Sequence, residues 1–213
     1  MSEELKSIEE VREMLECTQQ GNVKQSAGNY RTILLHDPNL KGAFRLNMFT
    51  DKIDITKDLG WYRESENLTD VDLKFLVLYF EKHYGLANEK RIDDAIKVVA
   101  NENRYHPVRD YLNALQWDGV ERIRYCLHHF LGAEVSNYTY EVMKLFMMGI
   151  ISRVFRPGIK FEVMLCLVGG QGAGKSTLLR FLAMNDDWFT DDLKKMDDDN
   201  VYRKLQGHLL VEV

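Results

Sequence analysis

The stretch Gly169-Gly170-Gln171-Gly172-Ala173-Gly174-Lys175-Ser176-Thr177 fits the pattern G-x-x-x-x-G-K-[ST] from Gly169 to Ser176. Its chemistry follows from the residue types. Glycines let successive backbone N–H groups turn inward without Cβ clashes, which makes an anion-binding nest. Gly170 and Gly172 exceed the minimal pattern and make the loop more accommodating. Phe161-Glu162-Val163-Met164-Leu165-Cys166-Leu167-Val168 precedes it as a short apolar run, and Leu178-Leu179-Arg180-Phe181-Leu182 follows as an apolar helix start. The expected order is therefore buried parallel strand, glycine loop, helix. A helix beginning at the loop points the positive end of its dipole at bound phosphates. In that arrangement Lys175 bridges the β- and γ-phosphates and the Ser176 hydroxyl ligates Mg²⁺. A nucleoside triphosphate is the expected ligand of residues 169–177.

Such a loop works with an acidic residue at the end of another core strand, which holds Mg²⁺ or its waters. Gly207-His208-Leu209-Leu210-Val211-Glu212-Val213 supplies an apolar run with Glu212 near its end, 37 residues after Lys175. Glu212 is the expected second metal ligand and, with Lys175, the expected catalytic pair. The bland alternative is a strand-end glutamate facing solvent. Asp191-Asp192 and Asp197-Asp198-Asp199 lie between the two motifs, but their spacing fits no Ca²⁺ loop. Asp197 to Asp199 are expected to cap a helix running through Val201, Leu205 and Gln206.

The elements that position these residues are legible in outline. Residues 7–19 and 25–36 read as amphipathic helices. Phe44, Leu46 and Met48 alternate with Arg45 and Asn47, and Ile53 and Ile55 follow a polar Thr50-Asp51, which predicts a hairpin over 44–55. Thr69 with Asp72 predicts a capping-box start to a helix that Gly85 ends near Tyr84. Asn88 is expected to cap the next helix, Pro107 to open a third, and Asp118 to cap a fourth that runs to Gly132. Residues 138–155 predict a long helix with a broad apolar surface, buried on most sides. Its methionines read as core filling, and Trp61, Trp117 and Trp188 as core anchors. His128 and His129 are adjacent and cannot share a helix face, so they make no metal pair. Arg104, His106 and Arg109 around Pro107 read either as a packed joint or as phosphate contacts.

The 213 residues carry 28 basic and 33 acidic side chains, for a net charge of −5, with no basic stripe that announces DNA binding by itself. With 45% hydrophobic residues the chain can build a core, which excludes disorder throughout. No run of 18 apolar residues occurs, so no membrane span is expected. Cys17, Cys126 and Cys166 are widely spaced and form no C-x-x-C pair. These features suit a reduced, cytoplasmic protein.

Further motifs carry a family resemblance. Asn103-Arg104-Tyr105-His106-Pro107-Val108-Arg109-Asp110-Tyr111-Leu112 and Leu115-Gln116-Trp117-Asp118-Gly119-Val120-Glu121-Arg122-Ile123 precede Pro157-Gly158, Lys160-Phe161 and the glycine loop. Asp187-Trp188-Phe189 and Leu205-Gln206-Gly207 lead to Val211-Glu212. Together with Asp37-Pro38-Asn39-Leu40-Lys41-Gly42, these residues resemble the virulence-associated protein E family over about residues 30–213. That family is similar to phage- and island-encoded superfamily 3 helicases of the AAA+ class. The resemblance implies ATP hydrolysis with Mg²⁺, coupled to movement on DNA by a homo-oligomeric ring. The fold it implies is an α/β P-loop NTPase core, preceded by a mainly α-helical region with a small β-hairpin. The expected divisions are residues 1–102, 103–157 and 158–213, with only the N-terminal part of the core in the last. A second reading, a truncated nucleotide- or partner-binding regulatory module without turnover, stays open at this stage.

Overall fold

In the computed structural model, which describes residues 6–193, 201 and 205–213, the chain divides into two units, Met1–His106 and Pro107–Val213. The first contains α1 (Ile8–Glu13), α2 (Ala27–His36), β1 (Phe44–Asn47), β2 (Lys52–Ile55), α3 (Asp70–Tyr84) and α4 (Glu89–Glu102). The hairpin lies where the alternation places it. β1 and β2 are antiparallel with Phe44 opposite Ile55 and Asn47 opposite Lys52. Asp51 sits in its turn with φ +56°, a region that aspartate tolerates better than most residues.

Around the hairpin, Tyr30, Ile33 and Leu34 of α2, Leu76, Phe80 and Tyr84 of α3, and Ile92, Ile96 and Val99 of α4 form one buried core with Phe44. Each large side chain in it contributes about 1.5–3 kcal/mol by leaving water. Asn88 caps α4 as expected, and Gly85 ends α3 in the left-handed region at φ +68°. α1 stops at Glu13, short of the expected Gln19. The reason is the buried Asn29, whose side chain accepts from the Glu16 N–H and donates to the carbonyls of Glu16 and Lys24. A side chain that satisfies those backbone groups competes with helix continuation.

Thr69 and Asp72 form the expected capping box at the start of α3. Asp72 also accepts from Trp61 Nε1 at 2.8 Å and pairs with Arg63 Nε at 3.2 Å, with its own side chain almost fully buried. Burial alone raises a carboxyl pKa, but the donors from Trp61, Thr69 and Arg63 outweigh it and hold Asp72 below its ordinary value. A depressed folded pKa adds stability that is present above the unfolded value and is lost as pH falls through the folded one. Thermal melts across the acid range should therefore show a shallower acid limb for Asp72→Asn than for the native chain. Parallel limbs would contradict this.

The second unit contains α5 (Pro107–Ala114), α6 (Ile123–Leu131), α7 (Asn137–Phe155), α8 (Lys175–Leu182), a 3₁₀ turn at Asp186–Trp188, β3 (Phe189–Thr190) and β4 (Leu210–Val211). β3 and β4 run parallel, with Phe189 opposite Leu210 and Thr190 opposite Val211. One apolar cluster joins Leu127 of α6, Met143 of α7 and Leu178 of α8. Another joins Ala183, Phe189 and Leu210, with Phe146 and Leu182 packed against both.

Four expectations need correction in this unit. Residues 161–168 form no strand, and Val168 is 98% exposed. An apolar run becomes a strand only beside partners for its backbone groups, and no described strand lies alongside it. Instead Phe161 packs its ring on Gly149, so closely that a Cβ there would sit 2.3 Å from a ring atom. Asp118 caps no helix: its carboxylate holds Arg122 through two bonds, at 2.7 and 2.5 Å, and α6 starts without a side-chain cap. α7 buries Met143, Gly149 and Val154 but leaves Leu145, Met148, Ile151 and Phe155 exposed. Its described neighbours cover one side only. Trp117 is 80% exposed, its Nε1 donating to the Val120 carbonyl at 3.4 Å. By contrast Trp61 packs against the first core and Trp188 against the Phe189 cluster.

Asp197, Asp198 and Asp199 lie outside the described residues. Cys17, Cys126 and Cys166 are free thiols. Among the described residues no helix is long and apolar enough to cross a membrane.

Candidate nucleotide site

The glycine loop ends where α8 begins. Gly174 is the N-cap at φ +84°, and Gly172 stands at φ +78°, a conformation that L side chains rarely adopt. A Cβ on Gly169, Gly170 or Gly172 would meet nothing within 4 Å, so the loop borders open space. Gly174 is different: a Cβ there would lie 3.9 Å from the Phe130 carbonyl and 4.0 Å from a Leu131 methyl, which places the end of α6 against the loop. Leu178 is buried in the α6–α7 cluster and anchors α8 behind it.

Lys175 folds back over the loop. Its Nζ donates to the Gly169 carbonyl at 3.0 Å and to the Gly170 carbonyl at 2.9 Å. The ammonium is thereby positioned over the loop backbone. Gln171, Ala173, Ser176 and Thr177 are exposed.

β4 delivers the carboxylate. The Glu212 N–H donates to the Thr190 carbonyl at 2.8 Å and extends the parallel pairing by one residue. Ser176 Oγ donates to Glu212 Oε1 at 2.6 Å, joining the start of α8 to the carboxyl end of β4 across 36 residues of chain. Glu212 Oε2 is buried and, among the described residues, has no hydrogen-bond partner. A buried carboxylate oxygen left unpaired is costly, and a cation is the natural partner for it. Ser176 and Glu212 therefore fit a divalent ion that takes its remaining oxygens from phosphate and water, the usual habit of Mg²⁺. Among the described residues no group of three or more His, Cys, Asp or Glu side chains could hold a metal by itself.

The other sequence candidates serve packing. His106 is buried and faces the Phe49 ring at 5.6 Å. Arg109 Nε donates to the Val154 carbonyl at 2.8 Å, tying α5 to α7. His128 Nδ1 lies 2.9 Å from the Ala133 carbonyl at the end of α6. Asp191 and Asp186 face Arg180 at 3.9 and 3.8 Å. The position of Phe130 beside the loop had no local signal in the sequence, because the contact joins residues 44 positions apart.

Residues 112–213 match the virulence-associated protein E-like domain. The matched segment contains the glycine loop, α8, both parallel strands and Glu212, and so takes in every residue of the site just described. The first unit lies outside it, as do residues 103–111 of the motif around Pro107. No curated protein matches the chain. A virulence-associated E-like, phage- or island-type protein is the reading that this match supports.

Proposed function

We propose that the second unit is the ATP-binding portion of a phage- or island-type DNA replication ATPase of the helicase kind. The observation that carries the reading is the 2.6 Å contact between Ser176 and Glu212, beside a buried Oε2 that has no partner among the described residues. A serine at the head of a glycine-loop helix and a carboxylate at the end of a parallel strand are the two protein oxygens that such a site needs.

Each residue then has a task. The backbone N–H groups of Gly169 to Gly174 face the phosphates, and α8 directs its positive end at them. Lys175 exchanges two neutral carbonyls for anionic phosphate oxygens. Ser176 and Glu212 are the residues that would hold Mg²⁺, which when bound would neutralise charge on the phosphates. Glu212, at the end of β4, would also orient a water or accept its proton, while Thr177 adds a second hydroxyl at the head of α8. Coupling to DNA and assembly into a homo-oligomeric ring in the cytoplasm are proposed from the likeness to virulence-associated E proteins.

The metal half of the site is tested by calorimetry of ATP binding with Mg²⁺ and with a chelator. Glu212→Gln and Ser176→Ala should each lose about tenfold or more of the enhancement that Mg²⁺ gives the native chain. Affinity in chelator should change little. An undiminished Mg²⁺ effect in both variants would sink the assignment.

A further inference from the structure

The first unit holds a cavity of about 600 Å³ beside the end of β2, lined by residues 54–58, by residues 61–63 and Glu66, and by Tyr105. Asp54 is part of that lining, although it is only 5% exposed. Its Oδ2 accepts from Asn47 Nδ2 at 3.0 Å and from the Tyr105 hydroxyl. Burial, the bond to Asp54 and that carboxylate's charge hold the Tyr105 phenol above its ordinary range, so it stays a donor and fixes Asp54 in place. Among the described residues Oδ1 has no bond, and it is not sealed from solvent, so its remaining surface opens on the cavity. Asp54 also forms no ion pair among the described residues. The nearby arginines are committed elsewhere. Arg45, opposite Asp54 across the hairpin, sets its guanidinium 4.3 Å from the Tyr105 ring centroid and donates to the Asn103 carbonyl. Arg63 pairs with Asp72 and donates to the carbonyls of Ile55, Glu66 and Asn67. A buried carboxylate with no counter-charge carries a desolvation cost that a bound cation would offset.

We propose that this cavity binds an organic cation, an alkyl ammonium group whose N–H donors reach Asp54 and whose stem lies among the aromatic residues of the lining. The inference concerns the first unit and is independent of the nucleotide reading of the second. The other charges of the lining favour a cation too. Asp58 and Glu66 stand there at exposed positions, against Lys57 as the one lysine. Trp61, Tyr62 and Tyr105 supply apolar surface for a methylene stem and ring faces that attract an ammonium. A bare metal ion fits poorly, because among the described residues no three carboxylates, histidines or cysteines come together to ligate one. The cavity also has room for far more than an ion, and its volume is that of a small-molecule site. The same ammonium chemistry comes from a free diamine or from the lysine side chain of a partner protein.

Calorimetry with the full chain tests this, using putrescine and the peptide acetyl-Gly-Lys-Gly-amide as probes, with NaCl at matched ionic strength as the control. At least one probe should bind saturably with one site per chain, and NaCl should give no such isotherm. Saturation by putrescine alone makes a free amine the ligand, and saturation by the peptide alone makes it a partner's lysine; either result supports the site. Asp54→Asn keeps the shape and can still accept from Asn47 and Tyr105, and it should weaken the bound probe roughly tenfold or more. The double change Asp58→Asn with Glu66→Gln alters only exposed side chains, so it should melt like the native chain and weaken the same probe severalfold. Saturable binding by neither probe would overturn the site. So would native-like affinity in a folded Asp54→Asn chain. Should Asp54→Asn fail to fold, the double variant decides, and native-like affinity there would also overturn the proposal.

Discussion

Lys175→Ala should lower the affinity for Mg²⁺-ATP by about two to three orders of magnitude while leaving the fold intact. In the free chain the ammonium gives two hydrogen bonds, of 3.0 and 2.9 Å, to neutral loop carbonyls. Those bonds are exposed to water and each contributes little net stability. When phosphate enters, the same ammonium meets oxygens that carry full charge, and charge-assisted bonds are about twice as strong as neutral ones. The difference between those two states is what alanine removes. Lys175→Arg should recover only part of it, because a planar fork replaces a compact point charge beside tightly turned backbone. Calorimetric titration reads the affinities and a melting curve checks the fold. A Lys175→Ala variant that binds Mg²⁺-ATP within a factor of a few of the native chain would contradict the assignment.

Asp37→Ala should destabilise the first unit by about 3–5 kcal/mol, a large share of the 5–15 kcal/mol that holds a typical domain together. Asp37 is fully buried and its carboxylate accepts four hydrogen bonds. The backbone N–H groups of Asn39 and Leu40 donate at 2.8 and 3.0 Å, and the hydroxyls of Tyr79 and Tyr84 at 2.8 and 2.6 Å. Burial, and the carboxylate beside them, push both phenols well above the ordinary tyrosine range, so each stays a donor at any working pH. Removing the carboxylate strands those donors in an apolar core. Tyr79 keeps one partner, since its oxygen also accepts from Asn39 Nδ2 at 3.0 Å; among the described residues no second bond of that kind supports Tyr84. Adding Tyr84→Phe to Asp37→Ala should therefore cost less than the sum of the single changes. Urea titrations of the four chains close the cycle, and strict additivity would refute the network.

Local signals in the sequence were legible where one side chain and its near neighbours decide the outcome. The Thr69–Asp72 box, the Asn88 cap, the Pro107 helix start and the Gly85 and Gly132 stops all act within a few residues, and each stands where the sequence puts it. Asp118 departs from the expected cap for an equally local reason: Arg122, four residues on, takes both carboxylate oxygens that a helix N-terminus would use. The run 161–168 failed differently. Its continuous apolar character suits burial, but strand formation needs neighbours that no local pattern supplies. Asp37 shows the same limit from the other side. Its tyrosine partners lie 42 and 47 residues away, and nothing in Asp37-Pro38 announces them.

The glycine loop was the most legible feature, because its spacing encodes a chemical requirement rather than a packing preference. The spacing also nominated Ser176 and Glu212 separately. Their 2.6 Å contact came from the fold, through the parallel pairing that sets β4 beside β3 and the Leu178 anchor that sets α8. The approach of α6 to the loop lay beyond reach of any motif, as it is made by the Phe130 backbone carbonyl, which every residue type possesses, and a Leu131 methyl.

If the loop cradles phosphate, its ligands are mostly backbone N–H groups, and amide hydrogen exchange reads those groups directly. The central measurement is exchange of the full chain with and without saturating Mg²⁺-ATP, repeated with Lys175→Ala. Slowed exchange in peptides covering residues 169–177, absent in the variant, is the expected result. Unaltered exchange across that loop in the native chain, with ATP demonstrably bound elsewhere or not at all, would contradict a nucleotide site at Gly169–Thr177.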